Sequence, residues 1–389
     1  MYDLLLAAGG LPIRIVNVML SRGLGGIQGA FVNYAAMLEH LGHEVTNCSA
    51  PGAECARFLP SGAGRAELAN KFALDPLAVW RAARLLDRLK PEAVIVHGSR
   101  ALTLFAWARR LTGSRARLIA VLHRHRFKRA ARADAVVCVT QRMCDEARAA
   151  GIDPARIVHM PNFIKLPERL PALAARAPRA AIGFLGRMVP EKGLDILLEA
   201  AAILRQRGQA FRLLIGGDGA ERADLEARCA RLNLNTLTTW LGWVDDPDLF
   251  YDAIDVFCVP SRHESFGLVI LQAHAAGKPL VATRTVGAGE LIRDGVNGLL
   301  CEATPADLAD HLARLLGDEV LAMRLARQGQ RDVADYDLPA LAPRLQAILE
   351  RVVDASSDRA RLPSRAASAA ANRPVPDVAS GRWSWRRSA

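Results

Sequence analysis

Short runs of apolar and β-branched residues alternate along this chain with stretches whose apolar positions recur at helical spacing. Residues 13–20 read as a first strand, ending in the glycine-rich turn Ser21-Arg22-Gly23-Leu24-Gly25-Gly26. Residues 31–41 then carry apolar side chains at helical intervals and stop at Gly42. Further strands are expected at 43–48, 93–97, 118–123 and 135–140. A proline-interrupted stretch, 165–178, breaks the rhythm and reads as a linker. The alternation restarts with strands at 181–185, 211–215, 238–241, 256–259, 280–282 and 299–301, and a helical stretch at 339–353 closes it. Strands alternating with helices imply parallel sheets made of right-handed βαβ units. The expected organisation is a first domain over 1–165, a linker over 166–178 and a second domain over 179–355. Residues 356–389, rich in Ala, Ser, Pro and Arg without periodicity, are expected to be a disordered tail.

Composition adds three constraints. At 389 residues the chain is too long for one core, and with 51% hydrophobic residues it has the apolar content for two. The seven cysteines are scattered, form no Cys-x-x-Cys pair and lie partly inside apolar runs. This argues against a disulfide framework or zinc cluster and fits a reducing cytoplasm. No apolar stretch is long enough to span a bilayer, and the first residues lack the basic segment of a signal peptide. The net charge of +11 is uneven, with the basic excess concentrated in residues 1–165, so an anionic partner is expected for the first half.

In open parallel sheets, ligands sit beyond the carboxyl ends of the strands. There the second half carries Gly186-Arg187-Met188-Val189-Pro190-Glu191-Lys192-Gly193, whose guanidinium and ammonium suit a diphosphate at a helix start. Gly216-Gly217-Asp218-Gly219 follows the next strand and permits close backbone approach. The segment 255–273 places a buried strand before Glu264, then opens a helix near Phe266-Gly267. Amides of Gly267 and Leu268 at that N-terminus can receive a phosphate. Glu264 can reach sugar hydroxyls and Gln272, about two turns on, a ribose.

These segments, with 277–283, Glu290-Leu291-Ile292 and 294–300, resemble the large family 4 of retaining glycosyltransferases. The resemblance covers about residues 13–350 and is strongest in the second half. It implies the GT-B fold, an α/β architecture of two Rossmann-like domains with parallel sheets facing across a cleft. It implies that Arg187 and Lys192 bind the diphosphate of a nucleotide-sugar donor, that Glu264 contacts the transferred sugar, and that position 272 contacts the ribose. The family motif has Glu at that second position, where this chain has Gln272, so altered nucleotide affinity is expected. In the first half, Gly25 and Gly26 match the family's glycine loop near the donor. His123 matches a histidine near the reaction centre, with His97 and His125 as alternatives.

The resemblance further implies internal return, in which the leaving phosphate takes the acceptor proton. Asp245-Asp246 reads as structural and is not taken as an Asp-x-Asp metal motif, so metal independence is expected and no cofactor beyond the donor substrate. The basic helical stretch 80–90 and the cluster Arg124, Arg126, Lys128, Arg129 and Arg132 suit an anionic membrane surface and a lipid-linked or lipopolysaccharide-type saccharide acceptor. A dehydrogenase is disfavoured, because residues 22–29 imitate Gly-x-Gly-x-x-Gly only loosely. No nucleic-acid-binding motif is visible. A non-catalytic, glycosyltransferase-like partner subunit is the rival, on the strength of Gln272.

Overall fold

The computed structural model describes residues 11–72, 75–173 and 180–354. They divide into two units, the first containing residues up to Leu166 together with those from Asp335 onward, the second running from Pro167 to Ala334.

The first unit holds seven strands, β1 (Arg14–Met19), β2 (Glu44–Ser49), β3 (Gly64–Glu67), β4 (Ala93–His97), β5 (Arg117–Leu122), β6 (Ala135–Cys138) and β7 (Ile157–His159). Its helices are α1 (Gly26–His40), α2 (Pro76–Leu89), α3 (Ser99–Thr112) and α4 (Gln141–Ala149). All pairings are parallel, in the order β3-β2-β1-β4-β5-β6-β7. The central strand β4, Ala-Val-Ile-Val-His, is buried at every position, as expected of a parallel strand covered on both faces. The edge strand β3, Gly-Arg-Ala-Glu, is mostly exposed. Neither β3 nor the three-residue β7 was expected from the apolar pattern.

The second unit repeats the plan with β8 (Ala180–Leu185), β9 (Phe211–Gly216), β10 (Thr238–Gly242), β11 (Val256–Val259), β12 (Leu280–Thr283) and β13 (Leu299–Cys301). The helices are α5 (Leu194–Gln206), α6 (Arg222–Arg231), α7 (Pro247–Asp252), α8 (Leu268–Ala275), α9 (Val286–Leu291), α10 (Pro305–Gly317) and α11 (Glu319–Asp332). The parallel order is β10-β9-β8-β11-β12-β13. Leu197, Leu204, Ile215, Val256, Val281 and Leu312 share one fully buried core cluster. In each sheet the chain runs outward from one strand, then returns to that strand's other side. The reversal falls between β1 and β4 in the first unit and between β8 and β11 in the second, the places where doubly wound sheets open a crevice.

Helix α12 (Leu338–Asp354), the last among the described residues, corrects the expected domain boundary. Assigned from the sequence to the second domain, it belongs to the first unit and packs against α1. Its stripe of Leu338, Leu341, Ala342, Leu345, Ile348, Leu349 and Val352 is buried there. The entry to α12 is stitched to the end of the first pass of that unit. Ile164 N–H donates to Tyr336 O at 3.1 Å, Leu338 N–H to Ile164 O at 2.8 Å, and Leu166 N–H to Asp337 Oδ1 at 3.0 Å. All seven cysteines are free and buried. Among the described residues no helix is long and apolar enough to cross a membrane. The tail from 356 onward, including Trp383, Trp385, Arg386 and Arg387, lies outside the described residues.

Candidate functional site

In the second unit, three turns at the carboxyl edge of the sheet are joined backbone to backbone. Gly186 N–H donates to Gly216 O at 3.1 Å, Met188 N–H to Asp218 O at 2.8 Å and Gly217 N–H to Gly242 O at 2.6 Å. Gly217 adopts φ +119°, and a Cβ there would lie 1.9 Å from Gly186 O. The close approach that requires this glycine is therefore to the neighbouring turn of the chain itself.

Arg262 ties the turn after β8 to the turn after β11. Its guanidinium makes two 2.7 Å bonds to the Asp195 carboxylate and a third, at 3.0 Å, to Pro190 O. The amides of Arg262 and His263 both donate to Glu191 O, at 2.9 and 3.2 Å. The Arg262 hydrogen bonds hold the Asp195 carboxyl below its ordinary range. This planar clamp is not legible as such in the sequence, since its two halves lie 67 residues apart.

Held by that clamp, Lys192 Nζ sits 2.5 Å from Glu264 Oε2, with side-chain exposures of 22% and 13%. Gly287 N–H donates to the Glu264 carbonyl at 2.9 Å, so α9 fixes the backbone of the residue whose side chain Lys192 engages. Gly267, at φ +96°, starts α8 without a side-chain cap, and a Cβ on it would stand 3.3 Å from Glu264 Cγ. The uncapped amides of Leu268 and the residue after it thus open beside the ion pair. Gln272 lies half-buried on the second turn of α8. Arg187 is exposed on the turn after β8. Lys192 is turned to Glu264. Asp246 caps α7, accepting from the amides of Asp248 and Leu249, at 3.0 and 3.4 Å.

In the first unit, Gly25 caps α1 and Gly26 is its first residue, so the glycine-rich turn feeds directly into a helix whose start has no side-chain cap. A Cβ on Gly26 would meet no atom within 4 Å. The three candidate histidines separate cleanly. His125 pairs with Glu146 on α4. His97, at the end of β4, is 2% exposed and engages both ring nitrogens, Nε2 with Asn17 Oδ1 and Nδ1 with His123 Nε2, each at 3.0 Å. His123, just after β5, is 8% exposed, and its Nδ1 has no partner among the described residues. Asn17 donates onward to Asn47 Oδ1 at 2.9 Å and to Phe31 O at 3.2 Å. Asn17 was missed as a candidate; its signal is an amide inside an otherwise apolar strand. Burial lowers the His123 pKa to about 4 and holds His97 well below its ordinary value.

Two doubly wound units of this kind, each gathering its candidate residues at a switch point, define the GT-B architecture. The Anabaena protein HepE, solved with UDP and glucose, superposes with a TM-score of 0.76 at 20% identity, over 87% of this chain and 99% of that one. A family model described as Glycosyl transferases group 1 matches residues 168–332, and one described as Glycosyltransferase Family 4 matches residues 24–167. The chain belongs to the group 1 glycosyltransferases. It is 32% identical over 245 residues to the alpha-D-kanosaminyltransferase of Streptomyces kanamyceticus, covering 59% of this chain and 62% of that protein. It is 39% identical over 146 residues to the lipopolysaccharide core biosynthesis glycosyltransferase LpsE of Rhizobium meliloti, covering 37% of this chain and 42% of that protein. The chain thus spans less than two thirds of the length of either relative.

Proposed function

We propose that this protein is a retaining, metal-independent glycosyltransferase that moves a sugar from a nucleotide diphosphate donor to a lipid-linked or lipopolysaccharide-type saccharide. The observation that carries this reading is the Lys192–Glu264 pair beside the uncapped start of α8. The two charges face each other at the switch point, where a donor offers each a better partner. Its diphosphate supplies an anion for Lys192, and its sugar supplies hydroxyls for Glu264. The Gly267 and Leu268 amides add preorganised donors for the phosphate, and Arg187 a second cation. In this reading Gln272, on the second turn of α8, bonds a ribose hydroxyl, and Gly217 keeps the adjoining turns tightly packed. In this reading Gly25 and Gly26, at the uncapped start of α1, approach a donor phosphate, and His123 offers a ring nitrogen to substrate. Charge leaving with the diphosphate is met by Lys192, Arg187 and the helix amides, so the reaction as proposed needs no metal or cofactor. The leaving phosphate takes the acceptor's proton, and the sugar keeps its anomeric configuration.

The acceptor reading is supported by the exposed faces of α2 and its neighbour α3. Leu77, Trp80, Arg81, Arg84 and Arg88 fall on one stripe of α2, the Arg84 guanidinium lying 5.0 Å from the Trp80 ring centroid. Trp107, Arg110 and Leu111 are exposed on α3. Indoles and leucines among arginines suit the interface of an anionic bilayer, as on the inner face of a plasma membrane. Sedimentation with phosphatidylglycerol vesicles but not phosphatidylcholine ones is expected, and loss of the difference in Trp80→Ala/Arg84→Glu tests it.

The deciding experiment is binding and hydrolysis of UDP-, GDP- and ADP-sugars by purified protein, with and without EDTA, beside an Arg187→Ala/Lys192→Ala variant. One donor bound and slowly hydrolysed in EDTA, with loss in the variant, is the expected result. The anomeric configuration of the transferred product tests retention. No binding across the panel would instead favour a non-catalytic partner subunit.

A further inference from the structure

The four side chains Asn47, Asn17, His97 and His123 form one buried row across β2, β1, β4 and the end of β5, and the direction of every proton in it follows from one carbonyl. Phe31 O can only accept, so the Asn17 atom 3.2 Å from it is Nδ2. The same Nδ2 donates to Asn47 Oδ1 at 2.9 Å. Asn17 Oδ1 therefore faces His97, and the His97 Nε2 that lies 3.0 Å from it carries a hydrogen. Burial disfavours the charged ring, so His97 has one N–H and its Nδ1 is a lone pair. The only group bonded to that lone pair among the described residues is His123 Nε2, at 3.0 Å, which must donate. His123 is likewise neutral by burial. Its remaining nitrogen, Nδ1, is left as a lone pair at the carboxyl edge of the sheet, unpartnered among the described residues.

Tyr34 and Phe31 pack edge-on against His97, with ring centroids at 4.9 and 5.8 Å, and keep that ring from turning over. His97 and His123 are nearly coplanar, with an interplanar angle of 17°. The row thus has a fixed sense, from His123 inward.

We propose that Asn17 and His97 are positioning residues that lock His123 in its Nε2–H tautomer, making Nδ1 a standing hydrogen-bond acceptor for one hydroxyl of a saccharide substrate. This rests on the reading of the chain as a glycosyltransferase. An acceptor-only nitrogen takes a hydroxyl, gains nothing from a deoxy or O-methyl centre, and repels a phosphate oxygen, which also carries only lone pairs. His123 accordingly selects sugar, not diphosphate.

The test uses the full chain labelled with ¹⁵N in its histidine rings. Long-range ¹H–¹⁵N spectra of the wild type are expected to show His97 and His123 each as a single Nε2–H tautomer. His97→Leu is expected to leave His123 as a mixture of tautomers and to lower transfer kcat/KM about tenfold. His97→Gln, which offers an acceptor to His123 and a donor to Asn17, is expected to restore the tautomer and bring kcat/KM within about threefold of wild type. Titration with UDP-glucose and GDP-mannose, and separately with methyl glucoside, is expected to shift His123 Nδ1 in one arm, which assigns the hydroxyl to donor or acceptor. UDP alone should leave it unmoved. A wild-type His123 with its hydrogen on Nδ1 overturns the proposal, as does a single tautomer persisting in His97→Leu. UDP bound with no saccharide moving Nδ1 overturns this proposal alone. If neither UDP nor any nucleotide sugar binds, the glycosyltransferase reading falls and this one with it.

Discussion

Lys192 Nζ and Glu264 Oε2 lie 2.5 Å apart although 72 residues separate them in the chain. The pair joins the turns that leave β8 and β11, and each partner depends on the other for its charge to be tolerated in a largely covered position. Lys192→Ala leaves a carboxylate there without its cation, and Glu264→Ala leaves a cation without its anion. Each is expected to lower kcat/KM with the cognate sugar nucleotide by about 100-fold or more. Steady-state kinetics check this. Activity within tenfold of wild type in both variants would remove the pair from the proposed chemistry.

Gly193 and Gly26 are predicted to respond to alanine in opposite ways. Gly193 has φ +64°, and a Cβ on it would sit 2.0 Å from Pro260 O. Gly193→Ala is expected to cost about 2 kcal/mol or more, because backbone must move. Gly26, by contrast, has open space around its absent Cβ and begins α1. Gly26→Ala is expected to hold or slightly raise the melting temperature while weakening donor binding. Thermal melts paired with donor titrations separate the two effects.

Gln272→Glu places a charged acceptor on the second turn of α8. A carboxylate bonds hydroxyl groups more strongly than a neutral amide. The expected outcome is a donor KM about five- to tenfold lower with kcat unchanged. An unchanged KM would show that position 272 does not contact the ribose.

Acid should begin to destabilise the fold above the pH range in which carboxylates titrate. Burial lowers the pKa of His123, His159 and His274 to about 4 from an ordinary 6.5. Above about pH 6.5 these rings are neutral in both folded and unfolded chains, and the fold has its full stability. As pH falls from 6.5 towards 4, the unfolded chain takes up protons that the folded rings refuse, so the histidine contribution declines through that window and levels off below it. Urea titrations at pH 7.5, 6, 5 and 4.5 should show a falling midpoint. His274→Leu should flatten the decline, since His274 is buried against Gly329 with neither ring nitrogen bonded.

The apolar code carried the two sheets well and their edges poorly. Strands such as β4 and β11 announce themselves because every position is buried. The exposed Gly64-Arg65-Ala66-Glu67 offers no such run, and its pairing with β2 becomes visible only in three dimensions. The helical period of α12 was equally plain, yet periodicity says that a face is covered and not by what. Site residues divide along the same line. Glu264, Lys192 and Gly267 stand in two motif-bearing segments of the second half and were legible from those motifs. The row from Asn17 to His123 was not, since it depends on β1, β4 and β5 lying side by side, an adjacency created by the reversal of strand order. His125 shows the limit from the other side: it shares His123's loop, and only the structure turns it towards Glu146.

Because α12 completes the first unit, that unit is a discontinuous one whose last described piece is synthesised only after the second unit. On the ribosome, residues 11–166 emerge with the α1 face that α12 will cover still bare. They must wait while the whole of the second unit is made before α12 arrives. The second unit is contiguous and has no such delay. Assembly therefore runs against the order of the chain, with the later domain able to finish first, and a fragment cut before Asp335 severs the first domain instead of isolating it.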